Sequence, residues 1–304
     1  MPQSRRADPA PSAAPAATRR LADARYTPFI PFADWPRVPL DIVRWDQTAA
    51  RLVRQRGDAP PQAWDRVHRV ALRAATLDAA QDADDSDLTV SGTEASWRQA
   101  LAAKGMPGVQ ALYEAELRAH ELVADAAAAG AALTEELLLR THEELVASHE
   151  QYPVLHGDDI VLEEVPRGEY KTYENYGVLS NGAKRLYAPA ERVPAEVARL
   201  VREAGAQSFA ETHPAVQAAY LLYAVDAIHP FADGNGRVAR AVASLPFHRA
   251  IGLPLVVTPR SRRAYLTSLE ACVRGEHRGV VEFVYQRGID AMTRAFDILA
   301  ASLS

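Results

Sequence analysis

Between Pro214 and His229 the chain reads AVQAAYLLYAVDAI, a run that is apolar on nearly every face of a helix. A helix without a polar face cannot lie at a surface, so other elements must surround it. Pro214 sits at the first helical position, where its missing N–H would have no partner anyway. The pair His229-Pro230 closes the run, because proline disfavours helical geometry in the residue before it. Any fold open to this chain therefore has one central helix and a shell built to cover it.

The shell reads as mostly helical. Ile42, Trp45 and Ala49, then Trp64, Val67 and Leu72, recur at spacings of three and four and predict two helices between Asp41 and Ala80. Further helices are predicted over Ser96–Ala119, Glu121–Ala129 and Thr134–Ala147, from Val238 to a stop at Gly252, and twice between Arg263 and Leu303. From Tyr26 to Pro39, prolines punctuate Phe29, Phe32 and Trp35, which suggests an irregular strap lying on the core. A single β-hairpin is expected in Gly168–Pro189, where Asn181-Gly182 separates two short β-prone runs. The expected organisation is a disordered tail over 1–25, a helical extension over 26–130 and an all-α core over 131–304 that carries the hairpin.

Composition removes several function classes. The 304 residues carry a formal charge of -5 and no basic excess, so no nucleic-acid partner is expected. The longest alanine-rich apolar stretch, Leu122–Leu133, is interrupted by Asp125 and Gly130 and is too short for a bilayer, so no membrane partner is expected. The start of the chain lacks the apolar core of a secretory signal, and the lone Cys272 reads as a buried thiol; both suit a cytoplasmic location. Asp82–Asp87 comes close to a calcium loop, but Asp87 stands where glycine is needed and Thr93 where glutamate is needed. It reads as a solvated linker.

The central helix gives way to the run His229–Arg240, HPFADGNGRVAR. Gly234, Asn235 and Gly236 precede a helix start, where unpaired N–H groups and the helix dipole favour phosphate oxygens. Asn235 also offers a side-chain amide. Arg237 and Arg240, three residues apart, lie near one face and can reach along a polyphosphate. Asp233 supplies the hard oxygen that magnesium prefers, and His229 can take a proton near neutral pH. Each residue alone has an ordinary explanation: a helix-end histidine, a turn aspartate, two surface arginines. Phe231 reads as an apolar anchor for the loop. Together, in twelve positions, they make up what moving a phosphorus group requires.

The run resembles the signature of the Fic (Fido-domain) family, His-x-Phe-x-Asp/Glu-Gly-Asn-Gly-Arg-x-x-Arg, at every fixed position. The likeness extends over about Thr134 to Gln286, through Thr141-His142, Tyr187-Ala188-Pro189, His213-Pro214, and Tyr265 with Leu269. It implies an all-α Fido core with a β-hairpin flap and transfer of AMP from ATP to a Tyr, Thr or Ser hydroxyl of a protein. By that likeness His229 is the base, Asp233 holds Mg2+, and Gly234, Asn235 and Gly236 bind phosphates. Arg237 and Arg240 hold the β- and γ-phosphates, Tyr265 lines an adenine pocket, and Asn181 and Gly182 belong to a flap that receives the target. Gly236 stands where a phosphorylating relative carries lysine.

Many members restrain themselves with Ser/Thr-x-x-x-Glu-Gly/Asn, whose glutamate pairs with the second arginine. The nearest counterpart here, Val90 to Ala95 with Glu94, departs at both ends. Glu94 reads equally as that inhibitor and as a solvated helix-start acid. Three alternatives stay open: removal of AMP from a modified protein, use of another nucleotide donor, and a catalytically weak nucleotide-binding regulator. The expected partners are ATP and a protein with an acceptor hydroxyl, and a homodimer is left open.

Overall fold

The computed structural model describes residues 26–76, 109–148, 151–156, 159–180 and 182–302. Its elements, in chain order, are helices α1 (Ile42–Asp58), α2 (Pro61–Thr76), α3 (Val109–Ala128) and α4 (Glu135–Leu145), strands β1 (Gln151–His156), β2 (Asp159–Glu164), β3 (Tyr176–Val178) and β4 (Lys184–Leu186), then helices α5 (Val193–Ala204), α6 (Gln207–Ala210), α7 (Pro214–Ile228), α8 (Asn235–Ile251), α9 (Pro259–Val273) and α10 (Arg278–Ala300). The fold is all-α with small β-hairpins, as expected.

The apolar run becomes α7, and its residues are buried on every side apart from Pro214, Val216 and Asp226. His213 caps it, its Nδ1 accepting from the Ala215 N–H at 3.1 Å. Helix α8 lies along α7, α3 and α4 pack on α8, and α10 closes the opposite side against α7, α1 and α2. Local chemistry starts these helices: Asp41 accepts from Arg44 N–H at 2.9 Å in α1, and Thr134 from Leu137 N–H at 3.0 Å in α4. Glu135 and Glu136 add negative charge to the positive end of α4.

The strap is present. Phe29 and Trp35 are buried, and Phe32 meets Phe209 and Tyr220 edge-on with centroids 4.8 and 5.0 Å apart. Tyr220 Oη donates to the Ile30 carbonyl at 3.1 Å, and Arg199 stacks 3.5 Å over Phe29. Cys272 is buried as expected, its thiol donating to the Ser268 carbonyl and pushed up to about 12 by burial.

Two expectations are corrected. A second antiparallel hairpin, β1 with β2, pairs Gln151 with Glu164 through His156 with Asp159. The sequence hides it because Pro153 and the run His156-Gly157-Asp158-Asp159 resemble a loop. Helix α3 also runs unbroken through Ala119 and Glu121, because no breaker stands there and His120 is buried along with Ala115, Glu116 and Ala119.

Candidate active site

Helix α7 hands over to the signature loop at His229, whose backbone is left-handed at φ 51 and ψ 61. No other non-glycine residue among those described has positive φ. Such a conformation persists only where its surroundings hold it. The His229 N–H still donates to the Val225 carbonyl at 2.9 Å, and Nδ1 sits 3.4 Å from the Asp226 carbonyl. A carbonyl only accepts, so Nδ1 carries the proton and Nε2 keeps the lone pair.

Charge around the imidazole is mixed. Burial is the largest influence and pulls His229 down to about 4; the cations of Lys171 and Arg185 act the same way, while Asp226 opposes them. Arg185 of β4 pairs with Asp226 at 2.7 Å, both side chains largely buried. Lys171 is 3% exposed and is pulled down to about 8 by burial. Its Nζ donates to Asn175 Oδ1 at 2.5 Å and its backbone N–H to the Pro230 carbonyl at 2.9 Å. Asn175 in turn donates to the Phe231 carbonyl at 3.3 Å. This segment before the flap therefore grips the loop backbone immediately after His229.

Phe231 is fully buried and stacks on His142 of α4 with centroids 3.8 Å apart and planes 2° from parallel. His142 Nδ1 accepts from the Gly168 N–H at 3.1 Å, which leaves Nε2–H to donate to the Asp233 carbonyl at 3.2 Å. Burial pulls this imidazole to about 4 as well, so it is neutral at pH 7. Asn235 accepts from Phe231 N–H at 2.9 Å and donates to Phe231 C=O at 2.8 Å. Its side chain shapes the loop, so its expected side-chain contribution to a phosphate cradle is corrected: the backbone N–H is what Asn235 has to offer.

Gly234 ends the turn at φ 77 and serves as the N-cap of α8, with no side chain capping the helix. A Cβ there would lie 3.3 Å from Val146 and 3.5 Å from His142. The first N–H groups of α8, at Asn235, Gly236 and Arg237, precede any intrahelical acceptor. Arg237 donates to the Leu145 carbonyl at 3.2 Å and to Asp233 Oδ2 at 3.3 Å. Asp233 keeps a side chain 44% exposed, the one open carboxylate of the loop. Arg240 lies 5.8 Å above the Tyr265 ring, which is buried on α9 beside Phe283.

The loop thus gathers His229, Asp233, Gly234, Gly236, Arg237 and Arg240 around one helix start. Gly182 sits apart from them at the exposed β3–β4 turn with φ 79, its N–H donating to Leu179 C=O at 2.8 Å. Asn181 and Glu94 lie outside the described residues. The sequence assigned no role to His142, Lys171, Asp226, Arg185 or Tyr187: His142 and Tyr187 entered only as part of the family likeness, and the lysine between two tyrosines was the one signal for Lys171. An apolar recess between α2 and α10, lined by Val67, Ala71, Leu253 and Ala291, contains none of the signature residues.

A model of the Fic/DOC family matches residues 132–246. Over that stretch, somewhat more than a third of its length, this chain is similar to the Fic/DOC family. Its Fic region is 36% identical over 87 residues to the protein adenylyltransferase Fic of Drosophila persimilis, covering 28% of this chain and 17% of that protein. Against the protein adenylyltransferase fic-1 of Caenorhabditis elegans it is 38% identical over 92 residues, 28% of this chain and 18% of the relative. The chain thus spans under a fifth of these relatives. In fold it is similar to a Fic domain containing signaling protein from Bacteroides thetaiotaomicron, with a TM-score of 0.65 at 19% identity, covering 84% of this chain and 97% of the other. Residues 134–508 of C. elegans Fic-1 give 0.60 at 18% identity, covering 86% and 74%. Over the Fic region, the loop after α7 and the start of α8 are the part that carries the family signature.

Proposed function

We propose that this chain is an ATP-dependent protein adenylyltransferase. The observation that carries the reading is a single turn that sets an imidazole with a free Nε2 lone pair beside an uncapped helix start and two arginines. The acceptor hydroxyl gives its proton to His229 Nε2 as its oxygen bonds to the α-phosphorus. The bond from that phosphorus to the bridging oxygen breaks, and pyrophosphate leaves with the electron pair. The N–H groups of α8 bind phosphate oxygens, and Arg237 and Arg240 take up the charge that builds on the leaving group.

Asp233 fits magnesium by its exposed carboxylate, since that ion takes one or two protein oxygens and fills its shell with phosphate and water. When bound, the ion would neutralise charge on the phosphates. A bound polyphosphate also changes His229. In the chain alone the imidazole is held near 4 by burial and nearby cations; negative charge arriving beside it favours the imidazolium and raises its affinity for a proton when a base is needed.

The test supplies purified chain and lysate with magnesium and ATP labelled at either the α- or the γ-phosphate. Adenylyl transfer puts only the α-label on protein. Label arriving from the γ-position would reject the reading.

A further inference from the structure

Tyr187 follows β4 and lies flat against His229, with ring centroids 3.7 Å apart and planes 11° from parallel. Its main chain has little freedom there, because the next residue, Ala188, donates its N–H to Ile228 C=O at the last turn of α7. The other side of the ring's reach is closed by β3. A Cβ built on Gly177 would come within 2.5 Å of Tyr187 Oη and 3.2 Å of Cζ, inside van der Waals contact. Gly177 also pairs with Arg185 across the hairpin, and Arg185 both overlies Tyr187 at 5.1 Å and salt-bridges Asp226. Flap backbone, tyrosine ring and imidazole form one contiguous column.

We infer that Tyr187 is a positioning residue through which flap strand β3 sets the orientation of the His229 imidazole. The inference rests on His229 being the base. Its consequence is a link between docking and chemistry: a polypeptide segment that adds to the edge of β3 fixes Gly177, Gly177 bounds Tyr187, and Tyr187 holds the plane of the reacting ring. Glycine at 177 serves that close approach, since a side chain there would drive the tyrosine off the imidazole.

Four full-length variants separate this from a general loss of structure: Gly177→Ala, Tyr187→Phe, their combination, and Tyr187→Leu. Two readouts are taken. The first is self-adenylylation with α-labelled ATP and magnesium, in chains with and without Glu94→Gly, resolved into maximal rate and half-saturating ATP. The second is the NMR shift of the His229 ring protons, which a stacked tyrosine moves upfield and which requires no chemistry.

Gly177→Ala is expected to lower the maximal rate about ten- to a hundred-fold, the range known for a catalytic group misplaced by an ångström, with half-saturating ATP little changed. It also moves the His229 shift downfield. The double variant removes the colliding hydroxyl, so it regains both the shift and most of the rate; Tyr187→Leu loses both with Gly177 intact. The proposal is overturned if the His229 shift in Gly177→Ala or Tyr187→Leu stays where it is in the parent. It is equally overturned if the double variant remains as slow as Gly177→Ala. The shift arm stands even where no adenylate is transferred, so failure of the functional reading is told apart from failure of this one.

Discussion

At the scale of single residues, the site depends on groups held in unfavourable states. Lys171 and Arg185 help keep His229 unprotonated, so Lys171→Met is expected to raise the proton affinity of the free imidazole. The acid limb of the rate at low ATP then moves to higher pH, and a limb that stays in place would remove Lys171 from this role. Because bound polyphosphate raises the same affinity, the acid limb at saturating ATP is expected above that at low ATP in the parent chain. Asn235 makes a separate contribution: Asn235→Ala leaves the buried Phe231 N–H without its partner and the Phe231 carbonyl with only Asn175, and is expected to cost about 1–3 kcal/mol in denaturant unfolding. The signature residues were legible in sequence because their order is local. Their supports were not, since His142, Lys171 and Arg185 reach the loop or the helix end before it from 41 to 91 positions away and meet it only once the chain has folded.

At the scale of elements, the flap is fastened at its tip as well as at its base. Ser180 donates its N–H and hydroxyl to the two oxygens of Glu270 on α9, at 2.5 and 2.6 Å. Those hydrogen bonds hold the Glu270 carboxyl below the usual glutamate range. A depressed acid contributes above its unfolded pKa and loses that contribution as pH falls through the folded one, so the latch loosens in acid. Glu270→Ala is expected to speed amide exchange at the β3–β4 turn while exchange in α7 is unchanged. Asn181-Gly182 announced this hairpin by its turn chemistry. The β1–β2 hairpin went unannounced, because Pro153 and a charged turn masked the alternation. Helices obey their own limits: a Cβ on Gly288 of α10 would come within 2.5 Å of the Trp45 ring edge of α1 and 3.1 Å of Phe247. Gly288→Ala is expected to cost about 1–3 kcal/mol by overpacking, read as a lowered unfolding midpoint.

At the scale of the whole molecule, three buried histidines and the partly buried His229 make the fold acid-sensitive. His120, His142 and His229 are pulled to about 4, and His248 to about 3, chiefly by burial. In the unfolded chain each returns to its ordinary 6.5. The unfolded state therefore takes up protons first, and stability that is full above that value falls as pH drops toward 4. With about 1.4 kcal/mol per proton per pH unit, four groups give a slope of about 5 kcal/mol per unit at its steepest. Denaturant melts between pH 7 and 4.5 check the slope. The same packing that excludes water from these rings lets α7 project a loop whose backbone His229 could not hold unaided. No described helix is long and apolar enough to cross a membrane, and the helices form a bundle that presents one turn and one flap. The most direct measurement compares the parent chain with His229→Ala for transfer of α-labelled adenylate and for ATP affinity. Transfer is expected to fall at least about a hundred-fold, with ATP affinity little changed; equal transfer by the two chains would contradict the assignment of His229 as the base.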